Sequence, residues 1–438
     1  MQFVYMERID NQTDKLAALC GMIWYVFIID ACFTWFFTWD VRYFIGAPFV
    51  FYATILLSRE QGLVFSDLRH KMFVALLLLT IFGVIGKFEI FVSPIRYAPL
   101  MCIVFWRESA LIQMYEYFKK FILFYAVLSI IVEILVLTKT WTMLPYKILP
   151  PQDNVQEQLG YVNYFFGLYN IQSVDTSLDF YRACGPGREG GHFAIYLGFL
   201  YFSETAIFNK RYLILIICGI LTLSPNFLFA LIITEGYCAI KEKRIFKPLL
   251  MIFAFVATVI FAFILSPQDV QVEIVRVILE RSLESNYENM ESDGLMAFLD
   301  GRTGGYGVQH FNMFLKKDFY TQLVGLDEMP KGNVMSDYRY MIMQRGFIGA
   351  FLSLWCIYVF SIKIEKSFFG FCLMVMALLV FIHRSWMFFQ VYWWTTMLLI
   401  VTVKQFAIES QETCQESLEY QEFQEYQEFQ ESQECQEH

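Results

Sequence analysis

The chain has few charged residues. Asp, Glu, Lys and Arg make up 17% of its 438 residues, whereas hydrophobic residues make up 57% and aromatic residues 19%. A typical soluble domain carries about 25% charged residues. The mean hydropathy is +0.46. These values exclude an ordinary soluble globular domain and predict a helical protein that crosses a membrane several times.

Metal-binding patterns are missing as well. None of the ten cysteines belongs to a CxxC pair or to a Cys/His group with the spacing of a zinc site. Nine cysteines lie in or beside apolar segments or in the C-terminal tail, and only Cys184 lies in a long polar segment. We therefore expect no metal and no other cofactor. We also expect no nucleic-acid partner.

The C-terminal tail accounts for the acidity of the chain. The formal net charge is −9, but ten glutamates lie between Glu409 and Glu437 with no basic residue among them. The tail repeats with a period of three residues (QEF, QEY, QEF, QES), which matches neither a helix nor a strand. We predict a disordered, acidic cytoplasmic segment over 404–438. The net charge therefore says little about the substrate.

Apolar runs bounded by charges predict an all-α integral membrane protein with about twelve transmembrane helices. The predicted spans are 16–37, 43–57, 72–86, 91–106, 121–137, 191–208, 212–223, 226–240, 248–265, 346–362, 367–382 and 391–403. Basic residues in the short loops place both termini in the cytoplasm. Two long segments, 138–190 and 266–345, then face the outer side of the membrane.

This topology divides the chain into six parts. They are an N-terminal transmembrane bundle (1–137), a first outer loop (138–190), central transmembrane helices (191–265), a second outer loop (266–345), C-terminal transmembrane helices (346–403) and the tail (404–438). Within the central part, the basic residues at 210–211 and 241–247 belong on the same side, although only residues 212–240 separate them. We therefore predict a short helical hairpin that turns at Ser224-Pro225-Asn226.

The segment from Tyr181 to Ala194 combines arginine, glycine and histidine at the start of an apolar helix. Arg182 and Arg188 present planar forks that suit phosphate oxygens, and the glycines let backbone N–H groups approach an anion closely. The helix that begins near Gly191 adds the positive end of its dipole. This pattern predicts a pyrophosphate site, and the alternative is a solvated loop with interfacial arginines.

A second group of glycines surrounds Arg302 in the other long segment. Three arginines converging from the two outer loops would stabilise a diphosphate leaving group without a metal. Glu189 either acts as a base or orients an arginine through a structural ion pair.

Other candidates are polar residues at the ends of apolar segments. His192, His310 and Asp337 are candidates to accept a proton from a sugar hydroxyl, and the alternative is an ordinary hydrogen-bonding role. Arg96 and Arg384 fall within or at the boundary of predicted spans, where charged residues usually face a cavity.

The order of these parts resembles the Wzy-type O-antigen polymerases of the bacterial envelope and, more distantly, the O-antigen ligases. The residues that carry the resemblance are Arg182, Arg188–Ala194, Leu221–Ser224, Gly301-Arg302, Leu323–Gly325, Ser336-Asp337-Tyr338 and Arg345–Gly349. The chain departs from the family pattern in three places. Glu189 is followed by two glycines instead of Pro-Gly, Ser224 is followed by Pro-Asn-Phe, and Ser336-Asp337 stands where the ligases place a histidine.

The resemblance implies a GT-C-like fold in the bacterial inner membrane, with a cavity open to the periplasm. It implies a metal-independent, inverting transfer of a growing glycan from undecaprenyl pyrophosphate to a hydroxyl of a lipid-linked repeat unit, in O-antigen or lipopolysaccharide biosynthesis. The expected partners are these lipid-linked glycans and the lipid bilayer, and a chain-length regulator protein is a further candidate.

The residue patterns and the resemblance together give the candidate site. The candidate catalytic residues are Arg188, Arg302, Asp337 and Glu189, and the candidate substrate-binding residues are Arg182, Arg96, His192, His310, Tyr338 and Arg384. A ligase that moves the glycan to a lipid A core is the nearest alternative. A transporter of lipid-linked sugars is the other alternative, although the halves of the chain show no internal repeat of the kind that transporters usually carry.

Overall fold

The computed structural model describes residues 11–29, 39–87, 92–138, 140, 146–148, 161–164, 169–175, 180–187, 190–243, 305–326, 337–363, 367–384 and 390–410. Most of the described chain is helical. The candidate residues Arg188, Glu189 and Arg302, the predicted span 248–265 and the tail beyond Ser410 lie outside the described residues.

Five helices form the N-terminal part of the described chain. They are α1 (Gln12–Ile28), α2 (Trp39–Arg59), α3 (Asp67–Lys87), α4 (Val92–Ile103) and α5 (Glu108–Leu137). α1 begins where the Asn11 side chain accepts a hydrogen bond from the Thr13 backbone N–H at 2.9 Å, which is the geometry of an N-cap.

Eight helices of the described residues follow the first long segment. They are α6 (Gly190–Phe208), α7 (Leu213–Leu221), α8 (Pro225–Glu242), α9 (Gly305–Phe314), α10 (Phe319–Val324), α11 (Tyr338–Tyr358), α12 (Phe368–Arg384) and α13 (Val391–Ser410). A π-helical turn, Val359–Lys363, continues α11. Pro225 opens α8, where its fixed φ suits a helix and its missing N–H costs nothing.

The apolar helices support the prediction of a membrane protein. A helix is present at every predicted span that falls within the described residues, although 30–37 of the first span lies outside them. Among the described residues, three helical stretches are long and apolar enough to cross a membrane: Val41–Arg59, Tyr338–Ile362 and Val391–Ser410. α12 contributes a shorter apolar stretch, Phe368–Ile382. The number of about twelve spans stays a prediction.

The prediction of an all-α chain is wrong for the first long segment. A four-stranded antiparallel sheet lies there, formed in order by β1 (Tyr146–Ile148), β2 (Tyr161–Tyr164), β3 (Tyr169–Asp175) and β4 (Phe180–Gly185). Aromatic and β-branched residues recur in these short runs and favour strands. Tyr169 and Ile171, two residues apart on one face of β3, are both buried. Burial raises the pKa of the Tyr169 phenol.

Ion pairs join the helices at one end of the bundle. Arg107, just before α5, donates to the carboxylate of Asp14 in α1 and, at 3.0 Å, to that of Glu60 just after α2. Arg69 of α3 lies 3.6 Å from Glu108 of α5. These pairs tie together four helices at a single level.

A second set of pairs lies near the same end. Lys119 of α5 is 3.4 Å from Glu204 near the end of α6, and Arg211, just before α7, is 3.4 Å from Glu235 of α8. We call the region of Arg107, Lys119 and Arg211 the basic end. It contains basic residues that the sequence places in cytoplasmic loops.

The start of α6 lies at the opposite end of the bundle. Tyr115, near the start of α5, donates to Glu204 near the end of α6 at 2.9 Å, so these two helices run antiparallel. Gly190 lies fourteen residues before Glu204, which corresponds to about 20 Å along the helix. We call the region around Gly190, which β4 and the turn between α7 and α8 also reach, the glycine end.

Candidate functional site

Arg182 packs over the first residue of α6. It lies on β4, where it pairs with Gln172 of β3, and its side chain is half-buried. A Cβ atom on Gly190 would lie 3.3 Å from Arg182 Cδ and 2.9 Å from the carbonyl oxygen of Ala183. Only a glycine leaves room for β4 to approach the helix so closely. The sheet therefore brings the arginine to the helix start.

The start of α6 is positively polarised. The first four N–H groups of a helix have no partner within the helix, and the aligned peptide dipoles place a partial positive charge there. The stem of the Arg182 side chain packs against this same place. The arginine charge and the helix end have the same sign, so an anion within reach of both would be stabilised by both.

The α7–α8 turn closes the other side of Gly190. The Thr222 carbonyl oxygen would lie 2.8 Å from a Cβ atom on Gly190, and the Thr222 hydroxyl donates to the Gly219 carbonyl at 2.6 Å. Leu223 has a φ of +49°, which turns the chain sharply before Ser224. The predicted hairpin turn at Ser224-Pro225-Asn226 therefore lies against the helix start that the sequence singled out.

His192 lies in the first turn of α6 and is 3% exposed. Ile195 and Phe199 follow it at spacings of three and seven residues, so the three side chains share one face of the helix. Ile195 and Phe199 line a cleft between α6, α8 and α12. The histidine is therefore one turn from that cleft, on the same helical face.

Asn226 lies at the start of α8 and was not among the predicted site residues. Its side chain is 6% exposed and lines the same cleft. Neither its Oδ1 nor its Nδ2 atom makes a hydrogen bond to the described part of the chain. The only sequence signal was the departure from the family pattern after Ser224, because burial of an amide leaves no mark in a sequence.

Asp337 serves as the N-cap of α11. Its side chain accepts a hydrogen bond from the Arg339 backbone N–H at 2.9 Å, and its Oδ2 lies 3.9 Å from Arg339 Nη1. The Arg339 guanidinium in turn lies 5.5 Å from the ring centre of Tyr338. This arrangement fixes the start of α11 and holds both predicted residues, Asp337 and Tyr338, beside a cation.

Two motifs of the resemblance meet at a kink in α11. Gly346 interrupts the helix with φ +65° and ψ −179°, and Gly325, just after α10, has a φ of +91°. A Cβ atom on Gly346 would lie 2.6 Å from the Gly325 nitrogen, so the two backbones are in direct contact. Both positive φ values favour glycine. This contact places the motif Leu323–Gly325 beside the motif Arg345–Gly349.

Arg345, next to this kink, was also missed as a site residue. It is largely buried and lines a second cleft with Ser93 and Tyr97 of α4. Arg96 lies 5.1 Å from the ring centre of Tyr43 on α2, and both arginines act electrostatically on the Tyr97 hydroxyl. A buried arginine inside a candidate membrane span usually faces a polar cavity, which is the signal that would have identified Arg345.

Contacts of α13 relate the two clusters. The Tyr43 hydroxyl donates to the Gln390 side chain at 2.8 Å, just before α13 begins. Tyr392, on the first turn of α13, lies 5.9 Å from Tyr196 of α6 between ring centres. The start of α13 therefore separates the Arg96 cluster from the start of α6, and both clusters belong to the glycine end.

The remaining predicted residues are less closely connected to this end. His310 lies on α9, whose Phe314 ring is 6.5 Å from the Phe347 ring of α11. Arg384 is the last residue of α12, and its side chain lies outside the described atoms. Within the described ranges, no group of three or more His, Cys, Asp or Glu side chains is arranged to hold a metal ion.

Comparison with known proteins does not identify the function of this site. No protein-family model, curated protein or solved structure matches the chain.

Proposed function

We propose that the chain is a membrane glycosyltransferase that polymerises lipid-linked repeat units of O-antigen or a related bacterial polysaccharide. The observation that carries this proposal is the packing of the Arg182 stem against Gly190 at the start of α6. This arrangement combines an arginine with a helix N-terminus, at the end of an apolar bundle opposite its basic loops. Such a place suits the diphosphate of a membrane lipid.

The proposed reaction exchanges one bond at the anomeric carbon of the donor glycan. The acceptor hydroxyl oxygen forms a bond to that carbon while the carbon–oxygen bond to the undecaprenyl diphosphate breaks. The diphosphate leaves with the electron pair, and the hydroxyl proton passes to a base. Negative charge grows on the leaving diphosphate, so fixed cations and N–H groups placed beside it lower the barrier.

The chain's own residues divide this work. Arg182 and the N–H groups of α6 bind the diphosphate, and Arg188 and Arg302 are proposed to add two further guanidinium groups. His192 lies in the first turn of α6, one turn from the cleft, and is the proposed proton acceptor. Asp337 and Glu189 are the alternative bases, and the cap geometry of Asp337 would require the start of α11 to rearrange.

The test uses the bacterium that carries the gene. The chromosomal copy is deleted, full-length variants are expressed in its place, and surface polysaccharide is separated by length. We expect wild type to give a ladder of repeats, Arg182→Ala to abolish it, and Arg182→Lys to restore little, because a lysine cannot fork onto two oxygens. Arg59→Ala is the matched control, since Arg59 is exposed at the end of α2.

The outcomes separate the possible functions. A ladder that persists in Arg182→Ala, at normal membrane levels of the protein, refutes the proposed role of the anion site. Accumulation of single repeats on the outer side in the deletion strain supports a polymerase. Loss of transfer to the lipid A core with a normal ladder on the carrier indicates a ligase, and retention of single repeats on the cytoplasmic side indicates a transporter.

A further inference from the structure

A narrow apolar cleft lies where α6, α8 and α12 meet. About 260 Å3 of space lies in the cleft and in front of it, including open solvent at its mouth. Its apolar lining includes Ile195, Phe199, Ala230, Ile233, Met376 and Val380. Neighbouring side chains of α8 face outward, and Ile232 is 50% exposed. The cleft is therefore a slot in the apolar flank of the bundle.

Asn226 supplies a polar group to this lining. Its amide is more than nine-tenths buried, and neither polar atom makes a hydrogen bond to the described part of the chain. A buried amide without partners is destabilising, and a ligand oxygen would satisfy its N–H donors. The cleft therefore fits a molecule that has an apolar chain and a hydrogen-bonding head.

The polar end of the cleft adjoins the proposed diphosphate site. Asn226 follows the turn whose Thr222 carbonyl lies against Gly190, and Gly190 lies against Arg182. On α6, Ile195 and Phe199 continue from His192 along one helical face toward the basic end. A lipid whose phosphates bind at Arg182 can therefore lay the first part of its chain between α6, α8 and α12.

We propose that this cleft holds the phosphate-proximal isoprenoid chain of the lipid carrier, and that the Asn226 amide donates a hydrogen bond to its phosphate group. The inference rests on the proposed function, because that function places the carrier phosphates beside Gly190. It adds a chain-binding site and a head-group donor on α8. The bulk phospholipid of the membrane is the competing occupant.

Competition between two lipids tests this site in the full-length protein. The protein is placed in nanodiscs with equal amounts of undecaprenyl phosphate and phosphatidylglycerol, and the retained lipids are counted by native mass spectrometry. We expect wild type to prefer undecaprenyl phosphate. Asn226→Leu should lower that preference by about tenfold, since it removes one hydrogen bond to a charged oxygen.

A matched pair of variants tests the apolar slot. Ile233→Trp places a large ring in the cleft and should lower the preference for undecaprenyl phosphate. Ile232→Trp adds the same ring one residue earlier, on the exposed side of α8, and should leave the preference unchanged. Asn226→Leu should not lower the unfolding temperature, because the replaced amide has no partner among the described residues to lose. A loss of binding in that variant would therefore reflect the site.

The outcomes distinguish this inference from the proposed function. Equal retention of the two lipids by wild type, or an unchanged preference in both Asn226→Leu and Ile233→Trp, overturns the inference. If the polysaccharide ladder still depends on Arg182 in that case, the proposed function stands without the cleft. The opposite result is also informative. If the lipid preference depends on the cleft, but deleting the gene leaves the polysaccharide of the bacterium unchanged, only the proposed polymerase function is overturned.

Discussion

The basic end and the glycine end of the bundle use their cationic side chains differently. At the basic end, Arg107, Lys119 and Arg211 lie within 3.4 Å of carboxylates on neighbouring helices. At the glycine end, Arg182 packs against the backbone at the start of a helix, and Arg345 lines a cleft with serine and tyrosine. The first arrangement joins neighbouring helices, and the second places one arginine at a helix start and the other in the lining of a cleft.

The largest effect on stability is expected at the basic end. Glu204 is fully buried and accepts a hydrogen bond from Tyr115 while pairing with Lys119. Lys119 keeps its closer pair with Glu116, at 2.6 Å, in the variant Glu204→Gln. The variant weakens the charge-assisted contacts that Tyr115 and Lys119 make with Glu204, and it should lower the free energy of unfolding by about 3 kcal/mol. Thermal unfolding of the purified protein in detergent measures this loss.

Glu60→Gln is the control for that change. Glu60 is exposed and pairs with Arg107, and an exposed pair contributes little to stability because solvent screens it. Equal losses in the two variants would show that burial does not distinguish the pairs, and the contrast between the two ends would then lose its energetic basis.

A smaller but site-specific effect is expected at the glycine end. Gly190→Ala would place a Cβ atom 2.8 Å and 2.9 Å from two backbone carbonyl oxygens, so the sheet, the turn and the helix would have to separate. We expect a destabilisation of about 2 kcal/mol and a loss of long polysaccharide. Both are measurable in the same detergent and deletion-strain assays.

Gly236→Ala provides the matched helix control. A Cβ atom on Gly236 would meet nothing within 4 Å, and alanine is favoured over glycine in a helix by about 1 kcal/mol. This variant should therefore be as stable as wild type or more so. A Gly190→Ala protein that matches it in stability and in polysaccharide length would contradict the close packing of β4 on α6.

The smallest effect is a pH dependence at the basic end. Hydrogen bonds from Thr13 and Arg107 lower the pKa of the Glu60 carboxyl from its ordinary value of 4.5. A lowered folded-state pKa stabilises the fold above the ordinary value, and this contribution is lost as the pH falls through the lowered pKa. Glu60→Gln should therefore reduce the loss of stability between neutral and acidic pH. Identical pH profiles of unfolding temperature in the variant and wild type would contradict this assignment.

Hydropathy predicted the helices of the bundle well because burial in lipid or in a helical core requires long apolar runs. The same criterion missed the sheet, since β2 and β3 are short and mix tyrosine with asparagine and glutamine. The relevant signal in β3 was the alternation of Tyr169 and Ile171, which has the period of a strand and is too short for a helix.

The candidate site divides along similar lines. Arg182 and His192 were predictable because arginine, glycine and histidine are adjacent in the sequence at the start of an apolar run. Asn226 and Arg345 were not predictable, because the residues that line a cleft with each of them are far away in the sequence. Ile195 and Val380 line the cleft of Asn226, and Ser93 lines the cleft of Arg345. Such long-range neighbours follow from tertiary packing, which a single sequence does not specify.

The contact between Gly325 and Gly346 has a mechanical consequence. No side chain lies between the two backbones where they touch. A displacement of residues 323–326 would therefore move α11 directly at Arg345. The Leu326 backbone N–H, which donates to the Met343 carbonyl at 2.7 Å, reinforces this coupling. A movement of helices α9 and α10 would therefore also move the arginine of the second cleft.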